Sequence, residues 1–266
     1  RLQQGGLVAS PTETVSGLGA DATRDDAVAG IFAAKGRPSD HPLIVHVTGL
    51  EAVPRFAADV PLFAQRLLER FWPGPLTVIL PRRPDVASAP AGGHGTIGLR
   101  CPAHPVAHAL LQACAAASPP IAGLAAPSAN RFGRVSPTTA VHVRSEFGDD
   151  LLVLDGGASD VGIESAIVDC TRGQPVLLRP GVLTASEIEA ACGVPLARPE
   201  DLVQAAPRAS GTLASHYAPR ATVRLMDAAA LQTALDVLGE QAAELAVWSR
   251  AILRTRSSQV LRRRMP

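Results

Sequence analysis

Apolar residues along the chain follow two periods, one helical and one extended. Over residues 25–35 they recur on one helical face, with Asp25 as a suitable N-cap. The β-branched run at 43–47 instead indicates a buried strand. By the same criteria, we expect strands at 5–9, 76–80, 97–100, 151–154, 166–169 and 175–178, and helices at 61–71, 105–116, 139–147 and 185–192.

The order of these elements is irregular, without strict alternation of strand and helix. This favours an α/β fold built on a mixed, twisted sheet with helices on its faces. Residues 195–220 are rich in Pro, Ala and Arg, show little periodicity and are interpreted as a linker. Beyond it, 221–225, 227–239 and 244–248 predict one strand–helix–strand unit. We therefore expect a main domain over 1–194, a linker over 195–220 and a partial second domain over 221–266.

Composition supports a packed protein rather than a disordered one. The 266 residues are 47% apolar and 18% charged. Their formal charge of +1 excludes a uniformly basic nucleic-acid coat. No apolar run approaches the roughly 18 residues that a membrane span needs. The chain starts with Arg rather than Met and shows no signal-like segment, so we interpret it as a piece of a longer chain. Its arginine-rich tail is either a solvated face or the start of further structure, and we favour the second interpretation.

The cysteine spacing argues against a zinc or disulfide-exchange site. The four cysteines are Cys101, Cys114, Cys170 and Cys192, and no two of them form a C-x-x-C pair. We expect buried, unpaired thiols and a location in the reducing cytoplasm.

The familiar phosphate-binding and metal-binding motifs are missing. There is no G-x-x-x-x-G-K-[ST] loop and no G-x-G-x-x-G after a strand. His104 and His108 stand four residues apart on a predicted helix, but without the glutamate of H-E-x-x-H a structural role is favoured over metal binding. Lys35 is the only lysine, and it is retained either by chance or because its compact ammonium is needed.

Six loops are dense in hydroxyl groups and cations. They are the segments 11–14, 35–42, 127–131, 135–138, 162–165 and 178–181. Cations, short hydroxyls and backbone N–H groups are what a nucleotide with several phosphates requires. Each loop alone is a weak signal, but together they predict a site for a polyanion.

Seven motifs in these and neighbouring segments occur in the order found in the YrdC family. They are Pro11–Val15, Lys35–Ser39, Pro42–His46, Trp72–Thr77, Pro127–Asn130, Ser136–Thr139 and Leu178–Gly181. His216–Pro219 looks like the linker motif of the longer members, so the chain resembles the two-domain branch of that family. The resemblance implies a twisted α/β sheet around a basic cavity, followed by the start of a small Rossmann-like domain. It also implies a reaction that joins L-threonine, bicarbonate and ATP into threonylcarbamoyl-AMP and pyrophosphate.

The resemblance further implies two sets of site residues. L-threonine would contact Thr14, His46, Arg100, Ala126 and Ser165. ATP would contact Lys35, Arg37, His41, Thr96, Ser128, Asn130, Ser136, Arg179 and Tyr217, with Lys35 and Arg37 as the catalytic residues. A bidentate arginine suits a carboxylate and a lysine suits a point contact to phosphate. Mg²⁺ would bridge phosphate oxygens without a protein carboxylate cage. The partner downstream would be a tRNA threonylcarbamoyl transferase complex, with weak RNA binding and no membrane contact.

Three residues depart from the family's usual pattern. Ser16 replaces a tyrosine, Ser10 an aromatic residue, and His41 an asparagine of the ATP loop. Loss of the ring at position 16 is expected to loosen the wall of the threonine pocket, unless that position points to solvent.

Two other functions remain open at this stage. One is a non-catalytic RNA-binding module of the same fold, favoured by the arginine-rich tail but opposed by a content of only 3% aromatic residues. The other is a related carbamoyl-transfer enzyme of hydrogenase maturation, whose acylphosphatase-like region and zinc-finger cysteines are missing here.

Overall fold

A computed structural model of the chain describes residues 1–201, 219 and 221–264. It divides into two compact units, Arg1–Ala218 and Pro219–Pro266, which are described separately below. The expected linker over 195–220 lies largely outside the described residues, so this boundary stays a prediction.

The first unit is built on one sheet. Its strands are β1 Val8–Ser10, β2 Gly17–Asp21, β3 Ile44–His46, β4 Leu76–Pro81, β5 Thr96–Arg100, β6 Leu124–Ala125, β7 Leu152–Val153, β8 Ala166–Asp169 and β9 Val176–Arg179. Their order in the sheet is β7-β1-β2-β6-β3-β5-β4-β8-β9. Parallel pairs such as β3–β5 and β4–β8 stand beside antiparallel pairs such as β4–β5, which confirms the predicted mixed sheet.

Helices accompany this sheet and bury their apolar sides. They are α1 Asp25–Lys35, α2 Val53–Phe56, α3 Leu62–Phe71, α4 Pro105–Ala115, α5 Ala140–Phe147 and α6 Ala185–Cys192. Helix α1 packs against β2, and α3 packs against α6. Ile31 of α1, Leu18 of β2 and Val45 of β3 are fully buried in the same core. The burial of these side chains is the main stabilising contribution to the unit.

Some details differ from the sequence expectation. Asp25 is the first residue of α1 rather than its N-cap, a position that Arg24 occupies without a side-chain cap. Strand β2 was not predicted, because Gly17–Asp21 contains no β-branched residue and forms a strand only through pairing with β1 and β6. Strand β6, only two residues long, was missed for the same reason.

The four cysteines are free and buried, as predicted. Burial raises the pKa of the Cys101 thiol to about 11 and also raises the pKa of Cys170. These thiols are therefore protonated near neutral pH and unsuited to nucleophilic chemistry.

The second unit contains helix α7 Ala228–Leu238 and two parallel strands, β10 Ala246–Ser249 and β11 Leu261–Arg264. The expected strand at 221–225 is wrong: Val223 is 75% exposed and Leu225 98%, and the segment pairs with no strand among the described residues. A run of suitable residues is not a strand without a neighbour to accept its hydrogen bonds. A Rossmann-like topology for this unit stays a prediction. Over the described parts of both units, no helix combines the length and hydropathy required to cross a membrane.

Candidate functional site

A cavity that is partly open to solvent lies in the first unit, beside the ends of several strands. Seven of the residues predicted for the site line it: Arg37, His46, Arg100, Ala126, Ser128, Ser165 and Arg179. They come from loops and strand ends that are far apart in sequence, so the sheet brings the two predicted sets to one place.

Strand register explains why His46 and Arg100 meet. Strands β3 and β5 are parallel neighbours, and His46 is paired with Arg100 at their carboxyl ends. On the other side of β3, Val45 is paired with Ala125 of β6, so the next residue of that segment, Ala126, also reaches the cavity. The carboxyl ends of parallel strands are the usual place for ligands in α/β sheets.

Arg100 is buried and held by three neighbours. One terminal nitrogen donates to Glu13 Oε1 at 2.6 Å, the other donates to Thr14 Oγ1 at 2.8 Å, and Nε lies 3.4 Å from the Gly74 carbonyl oxygen. Glu13 Oε2 in turn accepts from the backbone N–H of Ala103 at 3.1 Å. Each terminal nitrogen carries a second N–H. The guanidinium is thus oriented at the cavity wall with donors left for an anion.

Thr14, predicted to contact threonine, reaches the site through a tight turn. Thr12 Oγ1 donates to the Val15 carbonyl at 2.7 Å and accepts from the N–H groups of Thr14 and Val15. It also lies 2.9 Å from Thr14 Oγ1. These bonds fix the hydroxyl of Thr14 against Arg100 rather than in the cavity lining itself.

His46 is neutral in this environment. Its ring is buried, and desolvation, followed by the charge of Arg100, lowers its pKa to about 3. The imidazole can therefore donate or accept a hydrogen bond near neutral pH without adding a charge.

Ser165 and Arg179, taken from the threonine and ATP sets respectively, are in direct contact. Arg179 donates from Nε to the Ser165 carbonyl at 3.0 Å and from a terminal nitrogen to Ser165 Oγ at 3.1 Å. Ser165 Oγ also lies 2.9 Å from Thr77 Oγ1. The two predicted sets therefore share a boundary at this pair.

Lys35 does not line the cavity, although it was expected beside the phosphates. Its ammonium is buried and donates to the carbonyl oxygens of Ser128 and Asn130, while its own carbonyl accepts from the N–H of Phe132 at 2.8 Å. Burial, followed by the charge of Arg37, lowers its pKa to about 7. The lysine supports the loop that carries Ser128, and this loop is one wall of the cavity.

The same loop is also bonded to the strand beside it. The N–H of Ala129 donates to the Ser16 carbonyl at 2.8 Å, and the N–H of Leu18 donates to the Pro127 carbonyl at 2.8 Å. Ser16 is buried and lines the cavity, so the alternative that this position points to solvent is wrong. Ser10 lines a second cavity that shares Gly17, His46 and Ala126 with the first.

The other predicted ATP residues that the structure describes are not among the residues lining the cavity. The ring of His41 meets that of Phe132 edge-on, with centroids 5.6 Å apart. Asn130 is buried and donates to the carbonyls of Arg131 and Arg134, while its Oδ1 atom has no hydrogen-bond partner in the described part of the chain. Thr96 begins β5, opposite Pro81 of β4. Tyr217 lies outside the described residues.

Three contributors were missed by sequence reasoning: Glu13, Thr77 and Glu164. All three lie within motifs or loops named from the sequence, but none was assigned a role. The signal available for Glu13 was indirect, since an arginine placed in a buried site requires an anion nearby.

Of the two histidines considered for metal binding, His104 has a structural contact. His104 caps the start of α4, where its Nδ1 accepts from the N–H of Val106 at 3.2 Å. Within the described ranges, no group of three or more His, Cys, Asp and Glu side chains could hold a metal ion. The capping contact gives His104 a structural role, while the role of His108 stays a prediction.

The mixed sheet defines an α/β protein, and its cavity, lined by arginines and short hydroxyls, has the chemistry that suits a small anionic ligand. Residues 1–181 match the family of Sua5, YciO and YrdC, described as telomere recombination, and residues 183–264 match a family described as threonylcarbamoyl-AMP synthase, C-terminal domain. The chain belongs to the Sua5/YciO/YrdC family.

Two curated relatives carry the same name as the family that residues 183–264 match. The chain is 43% identical over 229 residues to a threonylcarbamoyl-AMP synthase of Pyrococcus abyssi, and the match covers 85% of this chain and 66% of that protein. It is 41% identical over 230 residues to a threonylcarbamoyl-AMP synthase of Bacillus subtilis, with 85% and 64% covered. The chain thus spans slightly less than two thirds of the length of these relatives.

A solved structure shows the same fold. The crystal structure of P. abyssi Sua5 complexed with L-threonine matches with a TM-score of 0.84 and 36% identity, covering 98% of this chain and 77% of that one. The α/β fold expected from the sequence is therefore confirmed.

Proposed function

We propose that this chain is an L-threonylcarbamoyladenylate synthase, a nucleotidyltransferase that uses L-threonine, bicarbonate and ATP. The observation that carries the proposal is the contact between Arg179 and Ser165, which places a residue proposed for ATP beside one proposed for threonine in one cavity. The names of the relatives and the L-threonine complex of P. abyssi Sua5 support it.

The threonine region offers groups that suit an amino acid. Arg100 presents its remaining N–H donors to a carboxylate, and the neutral His46 adds a hydrogen bond without repelling the substrate's ammonium. The Glu13 carboxylate pairs with the Arg100 guanidinium and holds it in place. Thr14, Ala126 and Ser165 complete this region of the proposed site.

The proposed reaction has two stages. The threonine amine and bicarbonate form an N-carboxylate with loss of water, and an oxygen of that carboxylate then attacks the α-phosphorus of ATP. The new P–O bond replaces the bond to pyrophosphate, which leaves. Such a displacement depends mainly on positioning and on neutralising charge.

The phosphate region supplies both requirements. Arg37 and Arg179 bring charge to the cavity, and Ser128 brings a short hydroxyl. Lys35 contributes to the reaction by holding the wall that carries Ser128. His41, Thr96, Asn130, Ser136 and Tyr217 remain proposed ATP contacts.

Mg²⁺ is expected to enter with ATP. Oxygen donors such as Glu164 and Ser136, which lie on this side of the cavity, suit a hard cation. When bound, the ion would supply charge neutralisation on the phosphates. The product would pass to a tRNA threonylcarbamoyl transferase complex in the cytoplasm, a compartment consistent with the four unpaired thiols.

Pyrophosphate release is expected only when ATP, L-threonine and bicarbonate are all supplied. The reason is that the carbamate must form before there is a nucleophile for the α-phosphorus. The measurement is a coupled pyrophosphate assay in which each substrate is withheld in turn. Equal release without threonine would contradict the synthase proposal, and RNA binding without any turnover would favour the RNA-binding alternative.

Filling the cavity wall at position 16 is expected to stabilise the protein or tighten threonine binding. Ser16→Tyr adds a ring at a buried position of the wall, and a gain of about 1 kcal/mol raises the melting temperature by roughly 2–4 °C in a protein of this size. Ser10→Phe should act non-additively with it, since the two cavities share His46 and Ala126. Thermal denaturation and threonine titration of single and double variants measure both effects. If neither quantity changes, the wall is complete without the ring.

A further inference from the structure

Glu164 places a negative charge inside a cavity whose other charged lining residues are arginines. Among the described residues that line this cavity, it is the only acidic one, beside Arg37, Arg100 and Arg179. Its side chain is 18% exposed, so the carboxylate is accessible from the cavity yet shielded from bulk water. A carboxylate in this place opposes the binding of phosphate unless a cation lies between them.

The contacts of Glu164 hold one oxygen more firmly than the other. Oε1 accepts from the hydroxyl of Ser136 at 2.6 Å. Oε2 stands 3.7 Å from a terminal nitrogen of Arg179, which is beyond hydrogen-bonding distance. The Ser136 contact therefore orients the carboxylate, while its second oxygen forms only a loose ion pair.

The charge balance of the site calls for a further cation. Among the residues that the structure describes, three arginines face the cavity, but Glu13 pairs with Arg100 and Glu164 lies next to Arg179. The positive charge that remains is smaller than the negative charge of a triphosphate. Magnesium bound through one or two carboxylates together with substrate phosphates is the usual solution in phosphoryl-transfer sites.

We propose that Glu164 is the protein ligand of the divalent cation that enters with the nucleotide, with Ser136 holding its carboxylate in place. The assignment rests on the proposed ATP-dependent function. Because the described residues contain no cluster that could bind a metal without help, the cation should bind only together with a nucleotide. Glu164 would thus hold the metal ion, and that ion would attract the phosphates that the carboxylate alone repels.

The test measures binding rather than turnover. The probes are Mn²⁺ and a non-hydrolysable ATP analogue. Bound Mn²⁺ is measured by electron paramagnetic resonance. The affinity for the analogue is measured by calorimetry, once with Mg²⁺ and once with EDTA. In the unsubstituted chain, Mn²⁺ should bind only when the analogue is present, and Mg²⁺ should tighten the analogue at least about tenfold. Glu164→Gln should lose most of that tightening by Mg²⁺. In EDTA, its affinity for the analogue should equal or exceed that of the unsubstituted chain. Glu164→Asp, which keeps the charge, should retain part of the metal dependence.

Two controls separate this role from a structural one. Glu69→Gln alters an exposed helix residue that pairs only with Gln65 among the described contacts, and it should leave both affinities unchanged. Melting temperatures of all variants establish that they are folded. If Glu164→Gln retains the full effect of Mg²⁺, the assignment is wrong and Glu164 serves only to pair with Arg179. If the unsubstituted chain binds no analogue in either condition, the proposed function itself fails, and this assignment fails with it.

Discussion

Removal of either partner of the Glu13–Arg100 ion pair is expected to lower the free energy of unfolding by about 3–5 kcal/mol, because it leaves an uncompensated charge in the interior. The side chains of Arg100 and Glu13 are only 4% and 11% exposed, so water screens the pair weakly. Glu13→Ala and Arg100→Ala should each show this loss in urea denaturation. Both variants should also lose threonine binding, since Arg100 is either absent or no longer held in place.

The chain offers a matched control for this prediction. Arg24 and Asp26 form another arginine–carboxylate pair, but one whose side chains are 37% and 66% exposed. Solvent-exposed pairs contribute little, so Arg24→Ala should leave the unfolding free energy nearly unchanged. A similar loss in both pairs would show that burial does not determine the strength of the Glu13–Arg100 interaction.

The second large effect is expected at Lys35. Lys35→Met retains the aliphatic part of the side chain but removes two hydrogen bonds from a cation to the carbonyls of Ser128 and Asn130. Contacts of this kind are worth about 1.5–3 kcal/mol, so turnover should fall roughly tenfold to a hundredfold through loss of the cavity wall. Lys35→Arg should restore little, because a planar guanidinium does not replace a compact ammonium between two buried carbonyls.

Arg82 provides the comparison for Lys35. It too ties a loop through carbonyl oxygens, those of Arg83, Pro84, Val86 and His94, but unlike the loop held by Lys35, residues 82–94 contribute nothing to the cavity lining. Arg82→Met should lower stability while leaving turnover near the starting value. If both variants reduce turnover equally, the effect of Lys35 is one of general stability.

The pH dependence of stability supplies an independent check on Lys35. Its pKa falls from 10.5 to about 7 in the folded chain, so between these values the unfolded chain binds more protons and stability rises with pH. Lys35→Met lacks this dependence. The stability advantage of lysine over methionine should therefore grow from neutral to alkaline pH, and a constant difference would contradict the shifted pKa.

The parts of the fold that the sequence predicted well are those specified by local signals. Helix α6 begins and ends where expected, because Thr184 and Glu187 form a capping box at its start and Gly193 adopts a left-handed conformation at its end. Strand β2 lacks such signals. Its glycines permit close approach instead: a Cβ atom on Gly19 would lie 3.2 Å from the Val8 carbonyl oxygen of the neighbouring strand.

The site shows the same division between local and long-range information. The resemblance to a known family was sufficient to nominate His46, Arg100, Ser165 and Arg179, which the structure gathers around one cavity. The pairing of Glu13 with Arg100 depends on contacts between segments 87 residues apart. The placement of Lys35 against carbonyls 93 and 95 residues away could likewise not be obtained from spacing along the chain.

The loop over 127–132 is attached on two sides, by Lys35 and by the backbone of residues 16–18. Ordering a loop during binding costs about 1–2 kcal/mol per residue in backbone entropy. Because these bonds are present before a ligand arrives, the loop is already ordered when the protein has folded. The free energy of substrate binding is then not reduced by the entropy cost of ordering this loop. Substitutions that release the loop should therefore weaken ligand binding through entropy, even when every residue that contacts the ligand is unchanged.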